Sequence, residues 1–161
     1  MNLILWRHAE AEYGPPDLER QLTTKGHHQA ETMATWLQNH LPENYQVWAS
    51  QAMRSQQTAG YLNKKPTILS TINPNIDARS LPRLLENVSD NATIIIVGHQ
   101  PWIGEFCSYL LNGQWHDGHY WSVKKSGFWW FEVRFDADGQ VQAKLKAALT
   151  PAVLKSPNAK K

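Results

Sequence analysis

The segment Met1-Asn2-Leu3-Ile4-Leu5-Trp6-Arg7-His8-Ala9-Glu10 opens the chain with an apolar run that ends abruptly in an arginine and a histidine. An apolar run without charge until its end is typical of a strand that is buried on both faces of a parallel sheet. In such sheets the ligand-binding crevice lies just beyond the carboxyl ends of the strands. The segment therefore predicts that Arg7 and His8 lie at a functional site.

A second buried strand is predicted over Thr93-Ile94-Ile95-Ile96-Val97, because β-branched residues favour strands, and it ends in Gly98-His99. Arg54 falls in the first turn of a helix that follows another predicted strand, Gln46 to Ala49. Since the carboxyl ends of parallel strands meet at one edge, these side chains are expected to converge with Arg7 and His8.

Two arginines and two imidazoles at one crevice suit a phosphoryl group, because arginine makes fork-like, charge-assisted bonds to phosphate oxygens. A histidine at a strand end can also be a structural residue whose hydrogen bonds are satisfied inside the protein. From the residues alone, we predict an anion site, with phosphate as the favoured ligand, and leave the structural interpretation open.

The other predicted elements alternate between helix and strand and then end in a hairpin. Further strands are expected at Thr67–Leu69, Phe128–Phe135 and Gln140–Leu149, and helices at Thr24–Leu41, Gln51–Asn63, Leu81–Leu85 and Pro101–Leu111. Asp138-Gly139 joins the last two strands and is a strong hairpin signal. This order predicts an α/β layered sheet, mostly parallel, with an antiparallel edge hairpin.

The length of 161 residues suits one domain, which we expect over 1–154, with a polar and frayed tail over 155–161. The formal net charge of +2 is too small to indicate nucleic acid or a membrane. A single cysteine, Cys107, excludes an internal disulfide and is expected to be buried. The strand begins directly at the first residues without a secretory signal, so a cytoplasmic location is expected.

Four segments resemble the signature segments of the histidine phosphatase superfamily, and they occur in that family's order. Arg7-His8-Ala9 is similar to its Arg-His-Gly motif, and Leu22 to Ala30 is similar to its Leu-Thr-x-x-Gly-x-x-Gln-Ala segment. Ser50 to Ala59 is similar to Ser-x-x-x-Arg-x-x-Gln-Thr-Ala, and Val97-Gly98-His99 supplies the second histidine. Each motif is weak alone, but the four together are highly specific.

Within that family, Arg20-Gln21-Leu22-Thr23-Thr24 and the ending Leu149 to Leu154 resemble the SixA branch of compact bacterial phosphohistidine phosphatases. The resemblance implies a phosphoglycerate-mutase-like fold, in which a three-layer α/β/α sandwich surrounds the sheet. It also implies hydrolysis of phosphohistidine on signalling or phosphotransfer proteins, with inorganic phosphate as the product and with no metal or cofactor.

The resemblance also assigns roles to residues. His8 would attack phosphorus and become phosphorylated, while Arg7, Arg54 and His99 bind the equatorial oxygens, where transition-state charge develops. Arg20 would add a further phosphate contact. Attack requires one nitrogen of His8 to be unprotonated, so its other nitrogen should donate to a backbone carbonyl.

The sequence departs from the family in two ways. Ala9 stands where glycine is usual, which would make a positive φ costly there, and Gln51-Ala52 replaces a turn that contains proline. The general acid is not evident either. The nearest candidate is Asp77; Asp17, Glu19 and Glu10 are others, and each can instead be a helix cap or a solvated charge.

A missing acid is compatible with phosphohistidine, since imidazole leaves with less help from a proton donor than an alkoxide does. The segment from Gly60 to Ala92 is also too short for a deep cap, and an open site suits phosphate on another protein. Two alternatives remain, a phosphatase of small phosphomonoesters and a phosphate-binding module without turnover.

Three further features are interpreted as structural. The His116 to His119 segment lacks the spacing of a zinc site, and the aromatic residues of Phe128 to Phe131 resemble an RNA-binding platform only faintly. Trp102 follows His99 and could wall the site, but packing is the favoured role.

Overall fold

Six strands form one sheet in the computed structural model, which describes residues 1–155. The strands are β1 (Asn2–Arg7), β2 (Gln46–Ala49), β3 (Thr67–Ile68), β4 (Thr93–Gly98), β5 (Phe128–Phe135) and β6 (Val141–Leu149). Their order is β3-β2-β4-β1-β5-β6, in which the first four are parallel and the hairpin β5-β6 is antiparallel. The predicted mostly parallel sheet with an antiparallel edge hairpin is confirmed. The predicted tail, apart from Lys155, lies outside the described residues.

Within residues 1–155, five α-helices and several short 3₁₀ turns accompany the sheet. The helices are α1 (Thr24–His40), α2 (Met53–Ala59), α3 (Leu81–Leu85), α4 (Trp102–Asn112) and α5 (Pro151–Leu154). Thr23 caps α1, since its Oγ1 accepts from the amide of Gly26 at 2.9 Å. Gly113 ends α4 in the left-handed conformation, with φ of 76°. Among the described residues, no helix is long and apolar enough to cross a membrane.

The second helix is shorter than the predicted span of Gln51 to Asn63. It begins only after Ala52, which has no side-chain oxygen to cap it, and it ends at Gly60, a residue with low helix propensity. Its buried face includes a charged residue, because Met53 is only half-buried whereas Arg54 is buried. The start of α2 therefore turns a cation, not an apolar side chain, toward the interior.

Alternate residues of the central strands pack into two hydrophobic layers, one on each face of the sheet. Leu3 and Leu5 of β1 pack on the side of α3 and α4, whereas Ile4 and Trp6 pack on the side of α1. All four side chains are fully buried, as expected for a parallel strand covered on both faces. The sheet therefore lies between two helical layers, and the predicted three-layer α/β/α architecture is confirmed.

Two glycines permit close approaches that bring the strand ends together. A Cβ on Gly26 would overlap the carbonyl oxygen of Glu10, so α1 begins directly against the loop that follows β1. A Cβ on Gly98 would overlap the indole of Trp102, which is fully buried and donates from Nε1 to the carbonyl of Asn73 at 3.1 Å. Trp102 thus packs beneath the end of β4, in agreement with the favoured structural role.

Candidate active site

A cleft of about 300 Å³ opens at the carboxyl ends of β1 and β4. Arg7 is the last residue of β1, and His8 and His99 follow directly after the two strands. The lining of the cleft contains the four residues predicted to converge there, namely Arg7, His8, Arg54 and His99, and also Arg20, for which the family resemblance implies a phosphate contact. The structure therefore brings together, in one cleft, side chains that lie more than ninety positions apart in the sequence.

His8 is held in a single orientation at the base of the cleft. Its Nδ1 lies 2.7 Å from the carbonyl oxygen of Ala9. A carbonyl can only accept, so the ring proton is on Nδ1 and the lone pair is on Nε2, as expected for a nucleophile. Burial is the main reason that the pKa of His8 is lowered to about 3; the bond to Ala9 opposes this shift, and the charges of Arg54 and Arg7 add to it. The imidazole is therefore neutral at physiological pH.

Ala9 causes no backbone strain. Among the described residues other than glycine, positive φ occurs only at Asn75 and Ser126, so the predicted cost of alanine at position 9 does not arise. Its amide donates to Thr58 Oγ1 at 3.0 Å, which ties the loop after β1 to α2. The carbonyl of the same residue orients His8.

Two hydroxyl groups hold the second histidine. Nε2 of His99 lies 2.7 Å from Ser50 Oγ and 3.1 Å from Ser55 Oγ. Ser50 Oγ also accepts from the amide of Ala52 at 3.2 Å, and its own proton can be donated to Nε2, which is the arrangement that places the ring proton of His99 on Nδ1. Burial, with the neighbouring His8 and the arginines, lowers the pKa of His99 to about 2. The two imidazole centroids are 5.1 Å apart.

Asp17 joins two of the arginines. Arg54 donates from Nη1 to the backbone carbonyl of Asp17 at 2.7 Å, and its Nη2 lies 3.2 Å from Oδ2 of the same residue. Arg20 Nη1 lies 3.2 Å from Oδ1. Partial burial alone would raise the pKa of the Asp17 carboxyl, but the hydrogen bonds and the charges of Arg54 and Arg20 together outweigh it and hold that pKa below its ordinary value. Asp17 is therefore ionised at neutral pH.

Three nitrogen atoms of the cleft have no hydrogen-bond partner in the described part of the chain. They are Nε of Arg7, Nε of Arg54 and Nδ1 of His99, and all three are buried. Arg7 is otherwise anchored, because its Nη1 donates to the carbonyl of Val123 at 2.9 Å. Buried donors are normally paired, so unpaired donors in a basic cleft mark a place for an acceptor-rich anion.

Asp77, the nearest candidate for the proton donor, is not brought to this cleft. Its Oδ1 accepts from the amide of Arg79 at 3.0 Å and so caps a 3₁₀ turn, and its side chain lines a different surface pocket with Glu105 and His116. The carboxylate that does line the cleft is that of Asp17, which the sequence offered only as a secondary candidate.

The two other secondary candidates have other surroundings. Glu10 lies near Thr23 and 3.9 Å from Lys25 Nζ at the start of α1, and Glu19 is exposed. Among residues 1–155, no group of three or more histidine, cysteine or acidic side chains could hold a metal ion. Cys107 is buried, and burial raises its pKa well above the ordinary range, so it is an inert packing residue.

Sequence reasoning missed several contributors to the cleft. Ser50 and Ser55 lie inside a recognised segment, but hydroxyl groups carry no charge pattern that would have revealed their contact with His99. Lys125 and the carbonyl of Val123 come from an irregular loop, and only the fold places them beside Arg7. Asp17 lies in a turn with two prolines, where a solvated charge was the simpler interpretation.

Comparison with known proteins gives a family and a fold. Residues 3–84 match the family described as histidine phosphatase superfamily, branch 1. A curated relative, an uncharacterised protein of Picosynechococcus sp., is 30% identical over 138 residues, which cover 79% of this chain and 82% of that protein.

Among solved structures, the protein histidine phosphatase SixA complexed with tungstate superimposes with a TM-score of 0.76 at 22% identity, covering 96% of this chain and 100% of SixA. A mutant phosphoserine phosphatase from Entamoeba histolytica, in complex with phosphoserine, has a TM-score of 0.67 at 18% identity and covers 91% of this chain and 95% of its own. The fold is thus one that is shared by phosphatases with different substrates.

Proposed function

The chain belongs to the histidine phosphatase superfamily, and on that premise we propose that it is a phosphohistidine phosphatase of the SixA type, with a single catalytic domain over residues 1–154. The observation that carries the proposal is the grouping of three unpartnered buried donors, on Arg7, Arg54 and His99, around a neutral His8. A phosphoryl group has three equatorial oxygens that can accept from these donors while phosphorus faces the nucleophile.

In the first step, the lone pair on Nε2 of His8 attacks phosphorus in line, and the bond between phosphorus and the leaving nitrogen breaks. The bond from Nδ1 to the Ala9 carbonyl keeps the ring in the reactive tautomer, and it strengthens as the ring acquires positive charge. Arg7, Arg54 and His99 offset the charge that spreads over the oxygens in the transition state.

In the second step, water attacks the phosphorylated His8, and the electron pair of the broken P–N bond returns to Nε2, which regenerates the neutral imidazole and releases phosphate. Arg20 borders the same cleft and supplies a further positive charge for the bound anion. Every group in this scheme is a side chain or a backbone carbonyl of the chain itself, so we propose that catalysis needs no metal and no cofactor.

The electrostatics of the cleft favour a phosphoramidate over a phosphate ester. Asp17, the carboxylate in the cleft lining, is ionised and has no proton to give to an alkoxide. A phosphohistidine side chain leaves as imidazole and does not need that proton. The neighbour SixA is described as a protein histidine phosphatase, which supports the same class, and we propose a histidine-containing phosphotransfer protein as the partner.

A phosphatase of small phosphomonoesters is the second candidate. The observation in its favour is that the phosphoserine phosphatase from Entamoeba histolytica shares the fold. A phosphate-binding module without turnover has less support, because such a module would be expected to have lost the nucleophile or an arginine, and both are present here.

The test is release of radiolabelled phosphate from protein phosphohistidine and, separately, from phosphate esters. We expect release from phosphohistidine by the wild type, an acid-labile phosphoenzyme on His8, and loss of both in His8→Ala. His119→Ala is the matched control, since His119 is an exposed histidine outside the cleft lining. Release from esters alone would favour the second candidate, and turnover that survives His8→Ala would exclude the proposed nucleophile.

A further inference from the structure

The segment between β1 and α1 brings three side chains to the mouth of the cleft. Tyr13, Asp17 and Arg20 all line the cleft and all come from this short stretch. They contact one another in series, since the Arg20 guanidinium lies 5.6 Å from the centre of the Tyr13 ring and is bonded to Asp17, which is bonded in turn to the buried Arg54. The wall that they form is thus continuous with the proposed phosphate site.

We propose that Tyr13 and Asp17 form the leaving-group subsite and that it binds the protonated imidazole ring of phosphohistidine. The inference rests on the proposed function and adds to it the recognition of the group from which phosphate is removed. Asp17 would accept from the ring N–H, and Tyr13 would stack against the ring.

The carboxylate of Asp17 lies in the cleft lining and has unused hydrogen-bond acceptor positions for this role. Its side chain is 54% exposed although both oxygens contact arginines, so part of it faces the open cleft. Each carboxylate oxygen can accept two hydrogen bonds, and Arg20 and Arg54 use one on each oxygen. One acceptor position per oxygen therefore remains for a donor that enters from solvent.

The ring of Tyr13 is available for stacking. The residue is 89% exposed, the highest value among the large apolar and aromatic residues of the described chain, although it lines a charged cleft. The guanidinium of Arg20 lies over the ring, and such a contact restrains an aromatic side chain without covering it. A flat aromatic group beside a carboxylate matches the two features of an imidazolium, its plane and its N–H.

The chemistry balances without a general acid. The phosphohistidine ring enters with a proton on the nitrogen that does not carry phosphorus, and this N–H donates a hydrogen bond to Asp17 while keeping its proton. When His8 attacks, the P–N bond breaks and its electron pair remains on the ring nitrogen, so the ring leaves as neutral imidazole with the proton still in place. An ionised carboxylate stabilises the cationic ring, which is the better leaving group. It has no proton to donate to an alkoxide leaving group.

A purely structural role for Asp17 makes a different prediction. If Asp17 served only to orient Arg54 and Arg20, its loss would weaken the binding of every phosphate compound to a similar extent. Loss of a leaving-group contact, in contrast, lowers kcat/KM only for substrates whose leaving group has a ring N–H. Substrate discrimination is therefore the deciding measurement.

The experiment compares N-phosphorylated imidazole with p-nitrophenyl phosphate, an aromatic ester without a ring N–H, for the wild type and for Asp17→Asn. We expect kcat/KM for the imidazole substrate to fall about 10- to 100-fold further than kcat/KM for the ester, as for loss of a hydrogen bond to a charged group. Inhibition by inorganic phosphate should change in parallel with the ester, because phosphate has no leaving group and is bound by the arginines that Asp17 contacts. Glu19→Gln, which removes an exposed carboxylate from the same turn, is the matched control.

Tyr13 is tested with the same imidazole substrate and an aliphatic phosphate ester. Tyr13→Phe should retain kcat/KM for the imidazole substrate, because the aromatic ring is kept. Tyr13→Leu should lower kcat/KM for the imidazole substrate about two- to tenfold without changing kcat/KM for the aliphatic ester. Equal losses of both substrates in Asp17→Asn, together with weaker phosphate inhibition, would overturn the inference. If the wild type does not hydrolyse the imidazole substrate or protein phosphohistidine, the proposed function itself fails.

Discussion

At the scale of single residues, Ser50 and Ser55 decide which nitrogen of His99 faces the substrate. Their hydroxyl groups surround Nε2, and Nδ1 is left unpartnered at the cleft. Without the serines, the ring could hold its proton on either nitrogen, and the phosphate donor would be lost in part of the molecules. A neutral imidazole thus acts as a donor because its other side is occupied by two hydroxyl groups.

Replacing Ser50 with alanine should therefore lower kcat/KM about tenfold, because the shorter of the two hydrogen bonds to His99 is lost. Ser55→Ala should have a smaller effect, in line with its distance of 3.1 Å. The measurement is steady-state turnover beside thermal unfolding. Ser108→Ala is the control, since Ser108 is a buried serine of α4 whose hydroxyl accepts from Asn112. Activity that follows only the loss of stability, in the control as in the others, would exclude the positioning role.

The buried histidines also predict how stability depends on pH. His8 and His99 have pKa values of about 3 and about 2 in the folded protein, against 6.5 in the unfolded chain. Between those values the unfolded state binds protons that the folded state does not bind. The free energy of unfolding therefore has its full value above the pKa of the unfolded chain and declines as the pH falls below that pKa. The lowered pKa of Asp17 changes the free energy of unfolding only below about the ordinary value of 3.8, and therefore not between about pH 5 and about pH 7.5.

From about pH 7.5 to about pH 5, each histidine should cost on the order of 2 kcal/mol of unfolding free energy. Urea denaturation at the two pH values measures the loss. His99→Gln should remove about half of the pH dependence, whereas His119→Gln, at an exposed position, should leave it unchanged. Wild-type stability that is equal at the two pH values would show that the histidines are not held neutral by burial.

At the scale of elements, the N-terminal end of α1 and the loop after β1 are in backbone contact at Gly26. Alanine is a better helix former than glycine by about 1 kcal/mol, so helix propensity alone predicts that Gly26→Ala stabilises the protein. The new Cβ would overlap the carbonyl of Glu10, and overpacking of this kind typically costs about 1–3 kcal/mol. The loop must shift, and it carries His8 at its start.

We expect Gly26→Ala to be destabilised and to lose activity beyond what its stability explains, as measured by chemical denaturation and by turnover at a temperature where the protein is folded. Thr35→Ala changes helix propensity on an exposed face of the same helix and should have neither effect. A stabilised and fully active Gly26→Ala would mean that this contact does not position the loop.

The elements themselves were largely predictable, and the exceptions have physical causes. β4 has a β-branched, mostly apolar run, and α4 has both a proline start and a glycine stop, so each was expected within one residue of its observed bounds. The helix α2 was predicted too long, since a polar segment without a strong stop signal cannot show where pairing ends. There, a residue without a capping side chain and a glycine set the limits.

At the scale of the whole molecule, the cleft is formed by segments that are distant in the sequence. This explains which of its lining residues the sequence could predict and which it could not. Residues that end strands or lie in family-like segments, such as His8 and His99, were expected to converge because topology alone brings strand ends together. The positions of Asp17, Asp77 and Lys125 depend on loops, whose paths have no periodic signal. For that reason the sequence did not show that Asp77 lines a different pocket, or that Asp17 is the carboxylate in the lining of the cleft.

The same assembly gives the cleft a strong excess of positive charge in a nearly neutral chain. Arg7, Arg20, Arg54 and Lys125 line it with Asp17 as the counter-charge, whereas the entire sequence has a formal net charge of +2. Lys125 differs from the arginines because it is exposed and, in the described structure, has no hydrogen bond or ion pair that would fix it. Its contribution should therefore be a long-range attraction for the anionic substrate.

Raising the salt concentration from about 0.02 to about 0.2 M should lower kcat/KM of the wild type by roughly three- to tenfold, because added ions screen that attraction. Lys125→Gln should begin from a higher KM with kcat nearly unchanged, and its kcat/KM should depend less on salt. Lys144→Gln is the control, since Lys144 is exposed on the edge strand β6 and does not line the cleft. If both variants kept the salt dependence of the wild type, the buried arginines alone would account for the attraction, and the loop with Lys125 would have no part in capturing the substrate.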